Sequence, residues 1–159
     1  MEYLPKILLY LFIVNLGTDF GAGLYETRIV LPLWFTKIPG KGYTVNTGMM
    51  NQLDTGRKFW GMVTTLPLTL LTIANLVLAI QTPAGPQHDW WLAAAIVTLV
   101  ERLATFAFFI PTAIQLSKAN TLPQAKVHQK VSHWIVMNNV RSLLTLVGLL
   151  LALRALAGW

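Results

Sequence analysis

Apolar residues run along this chain in four long stretches that short polar segments separate. The stretches cover residues 3–34, 59–81, 90–116 and 134–156. Each exceeds the roughly 20 residues that an α-helix needs to cross a ~30 Å hydrocarbon core. The second and fourth stretches show almost no polar face of the kind that a soluble bundle helix presents to water. The pattern therefore predicts an all-α integral membrane protein, a four-helix bundle that forms a single membrane domain over residues 1–159.

Composition and charge support this class and exclude several others. Of the 159 residues, 55% are hydrophobic, 11% are charged and none is cysteine, whereas an ordinary soluble domain is about 25% charged. The lack of cysteine excludes disulfides, thiolate metal sites and a cysteine nucleophile. At so low a charge density, the net charge of +6 indicates membrane topology rather than a nucleic-acid partner. The expected partners are the lipid bilayer and a lipophilic small molecule, and a homo-oligomer stays open.

Basic residues indicate how the protein sits in the membrane. The second loop has none and the termini add two, whereas the first and third loops together carry seven: Lys37, Lys41, Arg57, Lys58, Lys118, Lys126 and Lys130. The positive-inside rule then places loops one and three in the cytoplasm and both termini outside. This topology favours a multi-pass protein of a bacterial inner membrane. The first loop, residues 35–58, is either a cytoplasmic lid over the bundle or a solvated linker.

Ionisable residues inside the predicted spans are the strongest functional signal. Such residues are costly in lipid, so each one indicates a functional site or a paired charge inside the bundle. At ~1.5 Å per residue, Asp19, Glu101, Arg102 and Arg141 fall at one level, slightly inward of the midplane. Because two carboxylates and two guanidiniums sum to zero, we expect the four to pair inside the bundle. Glu26 lies closer to the cytoplasmic interface.

The spacing of polar residues supports an inward-facing stripe on the spans. Asn15, Asp19, Ala22 and Glu26 follow one helix face, and so do Trp134, Asn138, Arg141, Thr145 and Gly148. Thr65 and Thr105 fall on weaker stripes of the second and third spans. Gly17 and Gly21 form a Gly-x-x-x-Gly motif, which predicts the close approach of another helix. An alternative interpretation is that these buried charges and amides only fix the register of the helices.

The sequence predicts no metal site and no cofactor. The three histidines, His88, His128 and His133, all lie outside the middle of the spans, so they do not suit a bis-His haem inside the bundle. The spacing of His128 and His133 puts them on different helix faces, which is poor geometry for a shared metal. The Glu-x-x-His motifs of di-iron bundles are absent from the sequence.

Three short patches carry a resemblance to a known family. They are Gly21–Glu26 followed by Val30-Leu31-Pro32, then Phe109–Leu116, then Trp134–Arg141. In these patches, and in its length and span count, the chain resembles the anthrone oxygenase-like family of small four-span membrane proteins. The family pattern in the third patch is Trp, a polar residue four positions on, and Arg three further. Members often carry His where this chain has Asn138, so an acid–base role at that position does not carry over.

The resemblance implies oxidation of anthrone to anthraquinone by dioxygen, without metal or flavin. Such chemistry needs a base and a dry cavity, so the candidate bases are Asp19, Glu26 and Glu101. Arg102 or Arg141 would hold the anionic oxygen of the substrate. The residues expected to contact or stack on a flat ligand are Asn15, Tyr25, Thr65, Thr105, Phe106, Phe108, Trp134 and Asn138. The rival hypothesis is a non-enzymatic membrane subunit, transporter or assembly protein whose buried charges are structural.

Overall fold

Four long helical spans make up the protein. The computed structural model describes residues 3–158, apart from the side chain of Pro86, so Met1, Glu2 and Trp159 of the predicted domain lie outside the described residues. The spans are Tyr3–Trp34, Gly56–Gln81, Gln87–Leu116 and Gln124–Leu156. The second span begins a little earlier than the apolar pattern predicts. The fourth helix begins ten residues earlier, within the predicted third loop. The predicted all-α four-helix bundle is confirmed.

Three of the spans are built from more than one helical segment. In the first span, α1 (Tyr3–Tyr25) continues through a π-helical turn, Glu26–Val30, into α2 (Leu31–Trp34). A hairpin of β1 (Phe35–Ile38) and β2 (Gly42–Val45) and the helix α3 (Thr47–Leu53) follow. The second span is a π-helix, Gly56–Thr65, followed by α4 (Leu66–Gln81). The third span consists of α5 (Pro86–Ala104), a π-helical turn, Thr105–Phe109, and α6 (Ile110–Leu116). A 3₁₀ turn, Ala119–Thr121, precedes the fourth span, which is α7 (Gln124–Leu156).

The spans pack as an up-and-down bundle. Helix α1 packs against α4 and α7, and α5 packs against the same two helices, so each span has two antiparallel neighbours. We call the end that bears the β-hairpin the hairpin end. The opposite end, which holds Tyr3, the turn at Thr82–Gly85 and Gly158, is the terminal end; there the Gln87 side chain donates to the carbonyl of Gly158. That the hairpin end faces the cytoplasm stays a prediction from the basic residues.

The outer surface of the bundle is apolar. Large aliphatic side chains are exposed on all four spans, among them Val14, Leu70, Val100 and Leu150. A surface of this kind and size is stable against lipid and unfavourable in water. Together with the length and apolar composition of the four helices, it makes the chain an integral membrane protein in contact with the bilayer.

Polar side chains form a belt between two apolar cores. The terminal-end core holds Leu9, Phe12, Leu16, Leu68, Trp91 and the alanines that pack with them. The hairpin-end core holds Trp34, Phe35, Met50, Phe109, Leu116, Val131 and Trp134, with smaller aliphatic neighbours. Between them lie the buried polar residues Asp19, Glu26, Thr98, Glu101, Arg102, Thr105, Asn138, Arg141 and Thr145. The predicted polar and charged interior is therefore present, at the level where the two cores separate.

A proline follows the π-helical segment in each of the first three spans. The prolines are Pro32, Pro67 and Pro111, each at the second position of the next α-helix. The residue before each proline donates its N–H to the carbonyl five residues back, as Leu66 does to Gly61. Proline has no N–H, and its ring clashes with the carbonyl four residues back, so a wider turn accommodates it. The apolar pattern predicts continuous helices and misses these turns, although the three prolines in the sequence indicate where they lie.

The first loop is folded onto the bundle. Tyr43 stacks on His128 of α7 with ring centroids 5.7 Å apart, and its N–H donates to Nδ1 of the same histidine at 3.3 Å. The amide of Gln124 donates to the carbonyl of Tyr43 at 2.8 Å. Gly42 has φ +84°, and a Cβ there would meet the His128 ring at 2.6 Å, so this corner needs glycine. The loop is thus a docked hairpin and helix; whether it acts as a lid stays a prediction.

The close helix approach lies elsewhere than the Gly-x-x-x-Gly motif predicts. A Cβ added at Gly17 or Gly21 would meet no atom of another helix within 4 Å, so for the helices of this chain that prediction is wrong: these glycines lie away from the neighbouring spans. A Cβ at Gly148 of α7, in contrast, would lie 2.8 Å from the hydroxyl oxygen of Thr98 on α5. The tight contact is therefore between the third and fourth spans.

We expect Gly148→Ala to destabilise the bundle by about 1–3 kcal/mol, because the added methyl overpacks the contact with Thr98. Gly17→Ala is the matched control, and it should be neutral or stabilising by up to about 1 kcal/mol, since alanine is the better helix former. Chemical unfolding in detergent micelles measures both. Equal stability of the two variants would show that α5 and α7 are not in tight contact at Gly148.

Candidate functional site

A cavity of about 490 Å³ opens in the hairpin half of the bundle. This volume lies in the range of small-molecule sites, roughly 300–1,000 Å³. Its wall combines charged, aromatic and hydroxyl side chains: Asp19, Glu26, Arg102 and Arg141; Trp34, Trp60, Phe109 and Trp134; Thr55, Thr64, Thr65 and Thr105. The helix α3 and the corner after it complete the wall with Met50, Asn51, Asp54, Gly56 and Arg57. All four spans therefore contribute to one cavity.

Arg141 is held by an ion pair and two aromatic rings. Its Nη2 lies 2.6 Å from Oε2 of Glu26, and both side chains are buried. The guanidinium carbon lies 4.8 Å from the centre of the Trp60 ring and 4.6 Å from that of Phe109. Cation–π contacts of this kind strengthen when the cation is removed from water. The guanidinium is thus fixed in orientation at the cavity wall.

A second charged cluster lies towards the terminal end. Arg102 contacts the carboxylate of its neighbour Glu101, and its Nη2 lies 3.6 Å from Oδ2 of Asp19. The hydroxyl of Thr105 donates to Glu101 at 3.0 Å, and that of Thr145 donates to Asp19 at 3.2 Å. Two buried carboxylates therefore share one guanidinium. Hydroxyl donors supply the further hydrogen bonds that buried charges need.

The arrangement corrects the prediction that four charges of zero sum meet at one level. Arg141 pairs with Glu26 rather than with Asp19 or Glu101, so the charges form two clusters. Side chains on a helix lean towards its N-terminus. For α7 that direction is the hairpin end, which takes the guanidinium of Arg141 towards Glu26. With Glu26 included, three carboxylates face two guanidiniums, a formal excess of one negative charge.

Comparison with known proteins identifies the family. A family model, anthrone oxygenase, matches residues 50–151, well over half of the chain. The chain belongs to the anthrone oxygenase family. The resemblance predicted from the sequence patches is confirmed, and two of the three patches lie inside the matched range. No curated protein and no solved structure matches the chain.

Within this family member, seven of the predicted site residues border the cavity. They are Asp19, Glu26, Thr65, Arg102, Thr105, Trp134 and Arg141. Glu101 does not line it, but it contacts Arg102, which does. Most of the predicted site residues therefore lie around one cavity, and they come from all four spans.

The remaining predicted binding residues lie elsewhere. Tyr25 is 61% exposed on the outer face of the bundle, because one helical step from Glu26 turns a side chain by about 100°. The amide of Asn15 donates to the carbonyl of Val63 at 3.1 Å, and that of Asn138 to the hydroxyl of Thr27 at 2.6 Å. These two asparagines link helices instead of lining the cavity.

The aromatic predictions change as well. Phe106 is exposed on the outer surface, and Phe108 packs against Trp134, with centroids 6.5 Å apart, without lining the cavity. The rings that do line it include Trp34, Trp60 and Phe109. Sequence reasoning missed them because tryptophans at span ends are typical of the membrane interface. The Phe109-Ile110-Pro111 segment was the better signal, since its proline marks a π-helical turn.

Four buried donor groups of the cavity residues have no hydrogen-bond partner in the described part of the chain. They are the Nε1 atoms of Trp34 and Trp134, the hydroxyl of Thr55 and Nη1 of Arg102. A buried donor without an acceptor costs about 1–3 kcal/mol. These residues belong to the cavity wall, but the four atoms themselves have almost no accessible surface and lie behind the face that borders the cavity. Among the described residues, no three His, Asp or Glu side chains form a metal-binding group.

Proposed function

We propose that this protein binds a hydrophobic, aromatic or quinone-like molecule in the cavity and oxidises it with dioxygen, without metal or flavin. One observation carries the proposal: the Glu26–Arg141 pair, clamped between Trp60 and Phe109, borders a cavity of about 490 Å³. Membership of the anthrone oxygenase family supports the reaction class. The lipophilic substrate would reach the site from the bilayer that surrounds the bundle.

The chemistry assigns separate roles to the two charges. The carboxylate of Glu26 removes a proton from the reactive ring carbon of an anthrone-like substrate, acting as a general base. Arg141 stabilises the oxyanion that forms on the carbonyl oxygen. The electron-rich carbanion then reduces dioxygen. The carbon loses two hydrogens and gains one oxygen atom, while the second oxygen atom leaves with both hydrogens as water.

The aromatic wall suits this reaction. Trp60 and Phe109 both contact the guanidinium and restrict its orientation. The apolar part of the wall strengthens the interaction between Arg141 and a developing negative charge. Trp134 packs edge-to-face on Phe109, with ring centroids 5.2 Å apart, and adds a second aromatic ring to the cavity wall.

A non-enzymatic role is the second candidate, and one observation favours it. Both buried arginines already contact carboxylates, so the charges satisfy one another within the bundle. A subunit whose ion pairs only hold helices together would show the same contacts. The two hypotheses differ in what happens to a bound substrate, and so activity separates them better than geometry does.

The test is Glu26→Gln in the purified protein, supplied with anthrone. The amide still accepts a hydrogen bond from Arg141 but is no base, so we expect oxidation to fall by roughly a hundred- to ten-thousand-fold while the protein stays folded. Dioxygen uptake and the absorbance of anthraquinone measure the rate. Asp89→Asn, an exposed carboxylate at the terminal end, is the control and should keep full activity.

Two results would contradict the proposal. If the wild-type protein neither binds nor oxidises anthrone, the substrate class is wrong. If Glu26→Gln oxidises anthrone at the wild-type rate, then Glu26 is not the base and the Glu26–Arg141 pair is structural.

A further inference from the structure

Some side chains that border the cavity also face outwards from the bundle. Ile110, Ala113 and Ile114 share one face of α6, and all three line the cavity. Ile110 and Ile114 are nevertheless 38% and 56% exposed. On the second span, Gly61 and Thr65 also line the cavity and are only half-buried. Because the outer surface of the spans contacts lipid, the cavity wall reaches the bilayer at these residues.

The second and third spans separate on this side of the cavity. Their terminal-end halves, α4 and α5, pack closely against each other, whereas residues 56–65 and residues 105–116 do not. Within the described residues, no hydrogen bond or ion pair joins those two segments either. We call the gap between them the lateral slot. Its edges are Gly61 and Thr65 on the second span and Ile110, Ala113 and Ile114 on the third.

The lateral slot leads to the guanidinium of Arg141. Trp60 and Phe109 directly precede the first slot residue of their spans, and both line the cavity. The guanidinium carbon of Arg141 lies 4.8 Å from the centre of the Trp60 ring and 4.6 Å from that of Phe109. One ring from each side of the slot therefore contacts the cation, so the slot and the Arg141 site are continuous.

Polar contacts cross the hairpin end of the cavity instead. The amide of Asn51 in α3 donates to the carbonyl of Ser117 at 3.2 Å, and both residues line the cavity. The amide of Asn120 donates to the hydroxyl of Thr47 at 3.2 Å, which holds α3 a second time to the segment after α6. Arg57, whose side chain is 88% exposed, adds a charge to this rim. An apolar molecule that came from water would have to pass these groups.

We propose that hydrophobic compounds dissolved in the bilayer enter the cavity through the lateral slot, without passing through water. Ile110 and Ile114 act as its gate, because they border the cavity and the lipid at once. Apolar compounds concentrate in lipid, so a lateral entrance draws on a higher local concentration than an aqueous one does. This inference rests on the proposed function for what becomes of the entering compound, whereas the route itself does not depend on the reaction.

A single introduced thiol tests the route, because the natural chain has no cysteine. Thr105→Cys places the thiol at a buried position that lines the cavity. The full chain in lipid nanodiscs is treated with N-cyclohexylmaleimide, which partitions into lipid, or with a maleimide that carries a sulfonate and stays in water. We expect the lipid-soluble reagent to label at least roughly a hundredfold faster, since hydrocarbon excludes charge by about that factor. Gln52→Cys, an exposed position in α3, is the reference and should react with both reagents at similar rates.

Bulky residues at the gate test where the route runs. Adding Ile110→Trp/Ile114→Trp to Thr105→Cys fills the slot, so labelling by N-cyclohexylmaleimide should slow several-fold. Val100→Trp/Leu103→Trp is the matched control: both positions face lipid on the same span, 51% and 60% exposed, without lining the cavity. That pair should leave the labelling rate unchanged. Mass spectrometry of the intact protein measures every rate.

Three results would overturn the inference. If the sulfonated reagent labels Thr105→Cys as fast as the lipid-soluble one, compounds enter from water at the hairpin end. If the tryptophan pair at Ile110 and Ile114 does not slow labelling, the route does not pass between them. If neither reagent labels Thr105→Cys, the slot is closed. A wild-type protein that labels as expected but does not oxidise anthrone would instead contradict the proposed function and leave the route standing.

Discussion

Replacing Arg102 with leucine is expected to destabilise the protein by an amount at the upper end of roughly 3–5 kcal/mol, the usual effect of breaking a buried ion pair. Two carboxylates depend on this guanidinium, since Arg102 contacts both Glu101 and Asp19. With the cation removed, two negative charges would face each other in a low-dielectric interior. Chemical unfolding in detergent micelles, followed by far-ultraviolet circular dichroism, measures the loss.

A second substitution tests the cause. Adding Glu101→Gln to Arg102→Leu removes one of the two unpaired charges and should restore part of the lost stability. Arg57→Leu is the control: its pair with Asp54 is at the surface, with Arg57 88% exposed, and exposed pairs contribute at most about 1 kcal/mol. If Arg102→Leu is as stable as Arg57→Leu, the Asp19–Arg102–Glu101 cluster does not hold the bundle together.

Arg141→Leu and Glu26→Leu should each destabilise the protein by roughly 3–5 kcal/mol, and the double variant by less than the sum. Each single substitution leaves a buried charge unpaired, whereas the double substitution replaces the pair with apolar side chains. The double-mutant cycle gives the coupling between the two residues directly. Thermal and chemical unfolding of the four proteins, wild type included, supply the values.

A double variant of two residues that are not paired is the control for that cycle. Arg141→Leu/Glu101→Leu also removes one charge of each sign, but the structure pairs Arg141 with Glu26. We therefore expect the mismatched double variant to lose about the sum of its single effects. If the mismatched double variant is instead as stable as Arg141→Leu/Glu26→Leu, then Arg141 and Glu101 are coupled. The Glu26–Arg141 pair would then not be the one that determines stability.

The four spans and the polar interior could be predicted from sequence because both depend on simple physical constraints. A lipid-embedded helix must be long and apolar, so hydropathy gave its position closely, as with residues 3–34. The helical period places Asp19 and Glu26 on one face, and Trp134, Arg141 and Thr145 on another. Those faces do meet in the structure, and they supply Asp19, Glu26, Trp134 and Arg141 to the cavity wall.

The pairing of the charges could not be predicted in the same way. Counting depth at a fixed rise per residue gives the level of each Cα atom, and not that of the charged group at the end of a long side chain. Such a count also does not give the direction in which the Arg141 side chain points along the helix axis. The docked hairpin could not be predicted for another reason: its partners, His128 and Gln124, lie more than 80 residues further along the chain. The spacing of residues within a short segment gives no information about such long-range contacts.

The π-helical turns have a consequence for how such a chain tolerates insertions and deletions. A π-helical turn holds one residue more than an α-helical turn. The extra residue is absorbed within the turn, so the helix beyond Thr105–Phe109 keeps its facing. A one-residue deletion within α5, outside such a turn, would instead rotate every side chain beyond it by about 100°. Phe109 would leave Arg141, although no side chain at the site had been replaced. The place at which a residue is gained or lost along a span therefore determines which side chains face the cavity, alongside the identity of the residues themselves.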